Sequence, residues 1–392
     1  MNKLTFSIVL CGLSAPIYAH QSIHGNSRPD SVDVRTTVTY RSNEAAPADE
    51  VWQIPGVLMG GEALPVSKGA TLDDVQLLGH LNIKEGYFVS TKIGTHGHDG
   101  STEVSLEKLW FGANTEFYNQ VMLFEVGKMS TEVTPTASFH ASDGAYSEAP
   151  LLADVFFGRH FVDIGVRASS SFYGFNLGVE LFNGDNFPSS SGDGTAAVYV
   201  HTPVRYQNIK GQFGSWLMFS DAKSRTDLRY EDGHSYSDSQ LSASDLAFTG
   251  DTLMFGIYGD IAWQLNPITL DAGFEWITSD VDGVLLDSTQ SAAYLSTQDG
   301  YSLQMGVALD SHHLSIKYER LVVDNRFTQT SQTFVQSTGL YNEDFEPEKF
   351  AVAWVWDVYE DFTLRTEWYQ DNTQEKQTSR WSLGLVWQYK LL

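Results

Sequence analysis

The sequence predicts an all-β chain that closes into a transmembrane antiparallel barrel of about 16 strands, with 14 as the alternative. Three observations carry that expectation. From Val75 onward, apolar and polar residues alternate with a period of two. The alternating runs are about ten residues long, the length that crosses a bilayer at a tilt. The connections between runs are tight turns in some places and long polar stretches in others, which suits a barrel with one plain end and one elaborated end.

Composition agrees. The chain has 392 residues, with 24 Lys+Arg against 49 Asp+Glu and a formal net charge of -25. Such an acidic balance argues against a nucleic-acid binder, which needs a basic face to displace counterions. No run of 18 or more apolar residues occurs, so a helical membrane span is excluded. Aromatics make up 13% and are spread along the chain, which excludes general disorder.

The elements follow in order. Residues 1–19 have the layout of a secretory signal: Lys3, a short apolar core from Leu4 to Leu13, and Ile17-Tyr18-Ala19 before His20. The single cysteine, Cys11, lies inside it, and Leu10 before it is bulky where lipidation expects a small residue. The mature chain then has no thiol, which removes disulfides, thiol catalysis and Cys-based zinc sites together. Residues 20–70 form an N-terminal extension, or a segment folded into the lumen or periplasm, although Val32–Tyr40 alternates well enough to be one strand. Residues 71–392 are the barrel.

Within it, Tyr173, Phe175, Leu177, Val179 and Leu181 share one face. Further faces are Leu253–Leu265, Ile268–Trp276, Tyr301–Leu309, Phe350–Val358 and Phe362–Trp368, each taken at every second residue. Asn266-Pro267, Asp310-Ser311 and Tyr359-Glu360-Asp361 are tight turns. Ser130–Ala149, Ser220–Thr249, Asn325–Glu348 and Asp371–Ser379 are long and polar, and the first two are candidates to fold inward and narrow a pore. Aliphatic and aromatic faces suit lipid, and faces of Gly and charge suit a wet lumen.

In the last strand, Trp381, Leu383, Leu385, Trp387, Tyr389 and Leu391 share a face. Ser382, Gly384, Trp387 and Tyr389 together resemble the C-terminal insertion signal of Gram-negative outer-membrane proteins. The chain departs from that pattern by ending Lys390-Leu391-Leu392 rather than on an aromatic. Leu106–Phe111, Glu125–Met129, Phe157–Arg167 and Gly178–Asn183 are similar to strands of porin-type barrels, including a poorly characterised branch. The resemblance implies export through the inner membrane and residence in the bacterial outer membrane. It also implies contact with outer-membrane lipid and lipopolysaccharide, recognition by the barrel-assembly machinery, and a possible homotrimer. Its functional implication is a channel for passive diffusion of small hydrophilic solutes or ions.

Parity assigns the lumen-facing charges. Asp163, Glu180, Asp260, Asp271, Glu275, Glu319 and Glu367 face inward, as do Arg167, Lys317, Arg365 and Lys390. Seven acids against four bases favour a pore that prefers cations weakly, and argue against a phosphate channel built on an Arg/Lys ladder. The plainer alternative is that these charges pair across strands and stiffen the wall.

His96, His98 and Asp99 sit in a turn between Tyr87–Gly94 and Thr102–Phe111, His140 and Asp143 lie in the next long stretch, and His160 opens a strand; imidazole with carboxylate suits a divalent metal. Solvated histidines are the alternative. No cofactor is implied. His313-x-Ser315 places a base and a hydroxyl on one face, as a lipase-like barrel would need, but no third member is evident. No GxSxG or HExxH occurs, and an enzyme is not expected. Asp227, Glu231, Asp232, Asp238 and Asp245 in one stretch, and Asp324, Glu343, Asp344, Glu346 and Glu348 in another, keep loops solvated or bind Ca²⁺ or Mg²⁺ bridging to lipopolysaccharide phosphates.

A non-conducting barrel acting as receptor, adhesin or scaffold is the competing expectation. Small inward residues favour the open channel. Bulky inward residues, or a lumen filled by residues 20–68, favour the closed one.

Overall fold

A computed structural model of the chain describes residues 28–46, 52–98, 101–118, 120–230, 246–287, 290–341 and 344–392. The signal segment and most of the first acidic stretch, 231–245, lie outside the described residues. The strands are β1 (Ser31–Arg41), β2 (Gly69–Lys84), β3 (Tyr87–His98), β4 (Ser101–Phe117), β5 (Gln120–Ser130), β6 (Val162–Phe172), β7 (Phe175–Phe182) and β8 (Thr195–Tyr206). They continue as β9 (Ile209–Arg225), β10 (Ala247–Leu265), β11 (Ile268–Leu286), β12 (Ser291–Leu309), β13 (His312–Thr328), β14 (Glu348–Tyr359), β15 (Phe362–Asn372) and β16 (Thr378–Lys390). Two short helices, α1 (Leu151–Phe157) and α2 (Gln332–Ser337), lie in the long connections.

The 16 strands form one closed barrel, each hydrogen-bonded to its sequence neighbours. β1 closes it by pairing antiparallel with β16, from Asp33 opposite Lys390 to Arg41 opposite Ser382. The fold expected from the alternation is therefore the fold observed.

Alternation decides which face goes where. In β7, Phe175, Leu177, Val179 and Leu181 are exposed on the outer face, while Glu180 and Phe182 are buried inside. In β16, Trp381, Leu383 and Leu385 are outside, while Arg380 and Ser382 are buried. An exterior this apolar is unsuited to water and matches a lipid-facing belt.

The structure divides residues 20–70. Ser31–Arg41 is barrel strand β1, so the boundary expected near residue 70 does not separate an extension from the barrel. The described part of 42–68 folds into the lumen: Trp52, Ile54, Val57, Met59 and Ala63 are buried there. They pack with Leu151, Leu152, Phe156 and Phe157 of α1 and with Phe161. Wall residues Tyr199, Trp216, Met218, Met254, Tyr258, Ile277 and Leu321 complete the cluster. A second inward cluster joins Phe334 and Leu340 to Phe248, Leu285 and Tyr294. Part of the lumen is thus a hydrophobic core rather than a wet channel. Trimming Phe156 to alanine is expected to cost about 3–5 kcal/mol, read as a lower urea midpoint of the folded barrel.

The expected constriction Ser130–Ala149 folds inward, and the inward segment runs on through α1 to Phe161. Gly158 ends α1 in the left-handed conformation at φ 54°. It touches the other inward loop: a Cβ on Gly61 would sit 2.6 Å from the Gly158 carbonyl oxygen, and Glu62 N–H donates to that oxygen at 2.8 Å. Of the other candidate, Ser220–Thr249, the described part sends Arg229 to the Ala63 carbonyl at 2.7 Å.

Candidate functional site

The inward segment 131–161 is fastened to the wall by charge. At its start, Arg167 meets Glu180 at 2.7 Å, Glu125 at 2.9 Å and Glu132 at 3.3 Å, and donates to the Ser130 carbonyl at 2.5 Å. Thr131 hydroxyl and Glu132 N–H both donate to Glu180. Next, the hydroxyls of Thr134 and Thr136 donate to Glu275. Arg365 donates to the carbonyls of Ala141 and Gly144 at 2.5 and 3.1 Å. Ser142 hydroxyl donates to Asp74 at 2.8 Å. Glu367 accepts from Ser147 N–H, Ser147 hydroxyl and Ser382 hydroxyl, each at 2.6 Å. Leu151 N–H donates to Glu319 at 3.1 Å, and Lys317 lies 3.3 Å from that carboxylate.

The strongest fastening is Glu148. It is buried and pairs with Arg380 and, at 3.1 Å, with Lys349. Arg380 also meets Asp371 at 2.8 Å. Burial alone would raise the Glu148 carboxyl, but the charges of Arg380, Lys349 and Arg41 outweigh it and hold the group well below the usual carboxylate range. A depressed carboxyl stabilises fully above the ordinary carboxylate range. That contribution is lost progressively as pH falls through and below the range, where the unfolded chain takes up a proton that the folded chain does not. Unfolding of the Glu148→Gln variant is therefore expected to be less sensitive to acid than that of the parent, measured by urea titrations at several pH values between neutrality and pH 3.

Three more of the parity residues are buried too, and one is not. Asp163 accepts from Gly184 N–H at 2.8 Å and Asp185 N–H at 3.1 Å. Asp260 accepts from Gln212 N–H at 3.2 Å. Asp271 meets His313 at 3.0 Å. Lys390 stands exposed at the end of β16. Several inward charges escaped the sequence reading. Arg380 and Lys349 were open to the same alternation, two residues before Ser382 and Ala351. Glu148 sits in aperiodic loop and had no signal. Glu107 and Lys108 are consecutive yet both buried, because the β3–β4 register shifts between Lys92 and Ile93, and a bulge breaks parity.

Of the insertion-signal residues, Ser382 is buried and bonded to Glu367, while the Trp387 and Tyr389 rings stack 6.0 Å apart. His140 and His160 come together, with rings stacked 4.5 Å apart. Lys92 Nζ lies 2.5 Å from His140 Nε2 and 2.8 Å from Glu107; Glu62 lies 3.3 Å from His160. Backbone at His96 and His98 is strand, the end of β3, rather than the expected turn, and the side chains of both, with Asp99, lie outside the described residues. Among the described residues, no three His, Cys, Asp or Glu side chains are arranged to hold a metal ion.

His313 does have an acidic partner, Asp271, which the sequence did not reveal. Ser315, however, accepts from the Tyr146 hydroxyl at 3.0 Å.

Beside the start and end of the inward segment lies a cavity of about 380 Å³. Its walls are β4 and β5 at Glu107, Lys108 and Lys128, the His140/His160 pair, and loops at 60–62, 185–191 and 224–228.

No protein-family profile matches the chain, and no curated protein is similar to it in sequence. Solved structures do resemble it. Pseudomonas putida OprB in its high-pH structure is 11% identical with a TM-score of 0.55, over 93% of this chain and 94% of that one. Outer-membrane-expressed OmpT of Vibrio cholerae is 10% identical with a TM-score of 0.52, over 93% and 99%. A loop L8 deletion mutant of that protein is 11% identical with a TM-score of 0.52, over 92% and 98%. At these identities the likeness establishes the fold: a porin-like, 16-stranded closed barrel.

Proposed function

We propose that this protein resides in the outer membrane of a Gram-negative bacterium and acts as a porin-like channel. It would provide passive diffusion for small hydrophilic solutes or ions, along a path narrowed by residues 131–161. The observation that supports this reading most is the inward segment itself, fastened to a polar wall by carboxylates and guanidinium groups inside a barrel with an apolar exterior. Asp163, Arg167, Glu180, Asp260, Asp271, Glu275, Lys317, Glu319, Arg365 and Glu367 would line or shape the path. Residues 1–19 would direct export, and Ser382, Gly384, Trp387 and Tyr389 would serve insertion. Assembly as a homotrimer and lipopolysaccharide contact through the acidic loops belong to the same proposal. Hydrolysis does not, since Ser315 is engaged by Tyr146 rather than by His313.

A weak cation preference follows from the acids. Asp163 is held by backbone N–H groups, which leave its charge uncancelled. In planar bilayers under a salt gradient, the expected cation/anion permeability ratio is above one, and Asp163→Asn lowers it. A ratio below one contradicts the charge argument.

One observation favours a second reading. The apolar cluster of Trp52, Ile54, Phe156 and Phe157 occupies lumen that an open channel would leave to water. The barrel would then be a non-conducting receptor or scaffold. Correctly folded protein without any conductance would decide for it and remove the channel.

A further inference from the structure

Two inward-facing cations line the cavity between β4, β5 and the loops, and neither forms an ion pair among the described residues. Lys108 is about nine-tenths buried, and its ammonium donates to Ser130 hydroxyl at 3.0 Å. Lys128, paired with the exposed Leu109 and Ile164, belongs to the outer face, where it donates to the Leu106 carbonyl at 3.0 Å. Arg225 donates to the Pro188 carbonyl, with its guanidinium 4.7 Å from the Phe187 ring centroid. All these acceptors are neutral.

The acids in the lining are engaged elsewhere. Glu107 is salt-bridged to Lys92 at 2.8 Å, and Glu62 lies beside His160 at 3.3 Å. Asp185 is exposed and accepts from the Asn183 amide at 2.6 Å. Withdrawing an ammonium from water without an opposed charge is costly, and the cost is relieved when a counter-charge enters. Ammonium and guanidinium groups around a space of this size suit a small oxyanion, which they bind by charge-assisted hydrogen bonds.

We propose that this cavity is a binding site for a small oxyanion, of the phosphate, sulfate or carboxylate class, held by Lys108 and Arg225. The site stands beside both ends of the inward segment, at the barrel end that carries the long connections. It is separate from the carboxylates that face the lumen further along the wall. An anion seated there would tie β4 to the end of β9 and the loop beside it. The proposal does not depend on whether the lumen conducts.

The test is calorimetric titration of the folded, detergent-solubilised full chain with inorganic phosphate and, separately, sulfate. The expected result is saturable binding that weakens about tenfold or more in Lys108→Met and in Arg225→Met, and weakens as salt is raised. Lys223→Met, an exposed lysine outside the cavity, serves as the control and leaves the affinity unchanged. Each variant is checked for the folded barrel by its heat-dependent electrophoretic shift. If Lys108→Met does not fold, Arg225→Met, whose side chain is less buried, carries the test. No saturable binding, equal affinity in parent and variants, or an equal loss in Lys223→Met overturns the site. Intact binding in a barrel that conducts nothing keeps the site and removes only the channel.

Discussion

Replacing Glu148 by glutamine is expected to lower the unfolding free energy by about 3–5 kcal/mol and to enlarge the conducting path. The size follows from what remains. Arg380 and Lys349 are buried, and both lose the carboxylate that compensates them. Asp371 still neutralises Arg380, at 2.8 Å, but Lys349 is left with the Ala149 carbonyl at 3.1 Å. A buried ion pair need not exceed a hydrophobic substitute in stability, yet removing one partner alone is severe because the other charge stays behind. Glu148 also joins the middle of the inward segment to β14 and β16, so its loss frees the loop just ahead of α1. Urea unfolding followed by tryptophan fluorescence measures the first effect, and single-channel conductance the second. Unchanged values in both would show that Glu148 does not fasten the loop.

Gly300→Leu is expected to dislodge α1. A Cβ at Gly300 of β12 would lie 2.6 Å from Phe156 and 3.2 Å from Leu152, so the helix rests where a side chain would be. Leucine cannot be accommodated without moving α1 off the wall, at a cost of about 1–3 kcal/mol for overpacking. The helix is fixed by the apolar cluster and by the Leu151–Glu319 bond, so displacing it uncovers lumen that Phe156 and Phe157 now fill. Conductance should rise severalfold. The paired variant Gly300→Leu with Phe156→Ala should recover part of the lost stability, because the two side chains compete for one volume. A double variant whose loss is the sum of the single losses would refute the packing argument.

The wall was legible because a strand repeats every two residues and its two solvents differ. Trp381, Leu383 and Leu385 against Arg380, Ser382 and Gly384 announce β16 on their own. Tyr258 and Met254 stood on the inward face by the same rule, but alternation assigns a face and not a neighbour. It could not show that they meet Trp52, Phe156 and Phe157. Those partners come from loops that pack without a period, so no spacing marks them as core. Glu107 and Lys108 were hidden for a different reason: one extra residue in β4 breaks the parity that would have placed them. Alternation places Asp271 among the lumenal acids and His313 on a face with Ser315, with no link between the two. Their pairing depends on β11 and β13 both lying beside β12, which is topology rather than sequence pattern.

The seam between β1 and β16 has a consequence for shortened chains. Every other adjacent pair of strands is contiguous in sequence, and can zip as soon as its turn forms. This pair joins residues from opposite ends, Val34 beside Tyr389 and Thr39 beside Gly384. A chain that lacks either terminal strand does not become a smaller barrel. It becomes an open ribbon with two bare borders of unpaired backbone N–H and C=O groups, where a second copy could attach.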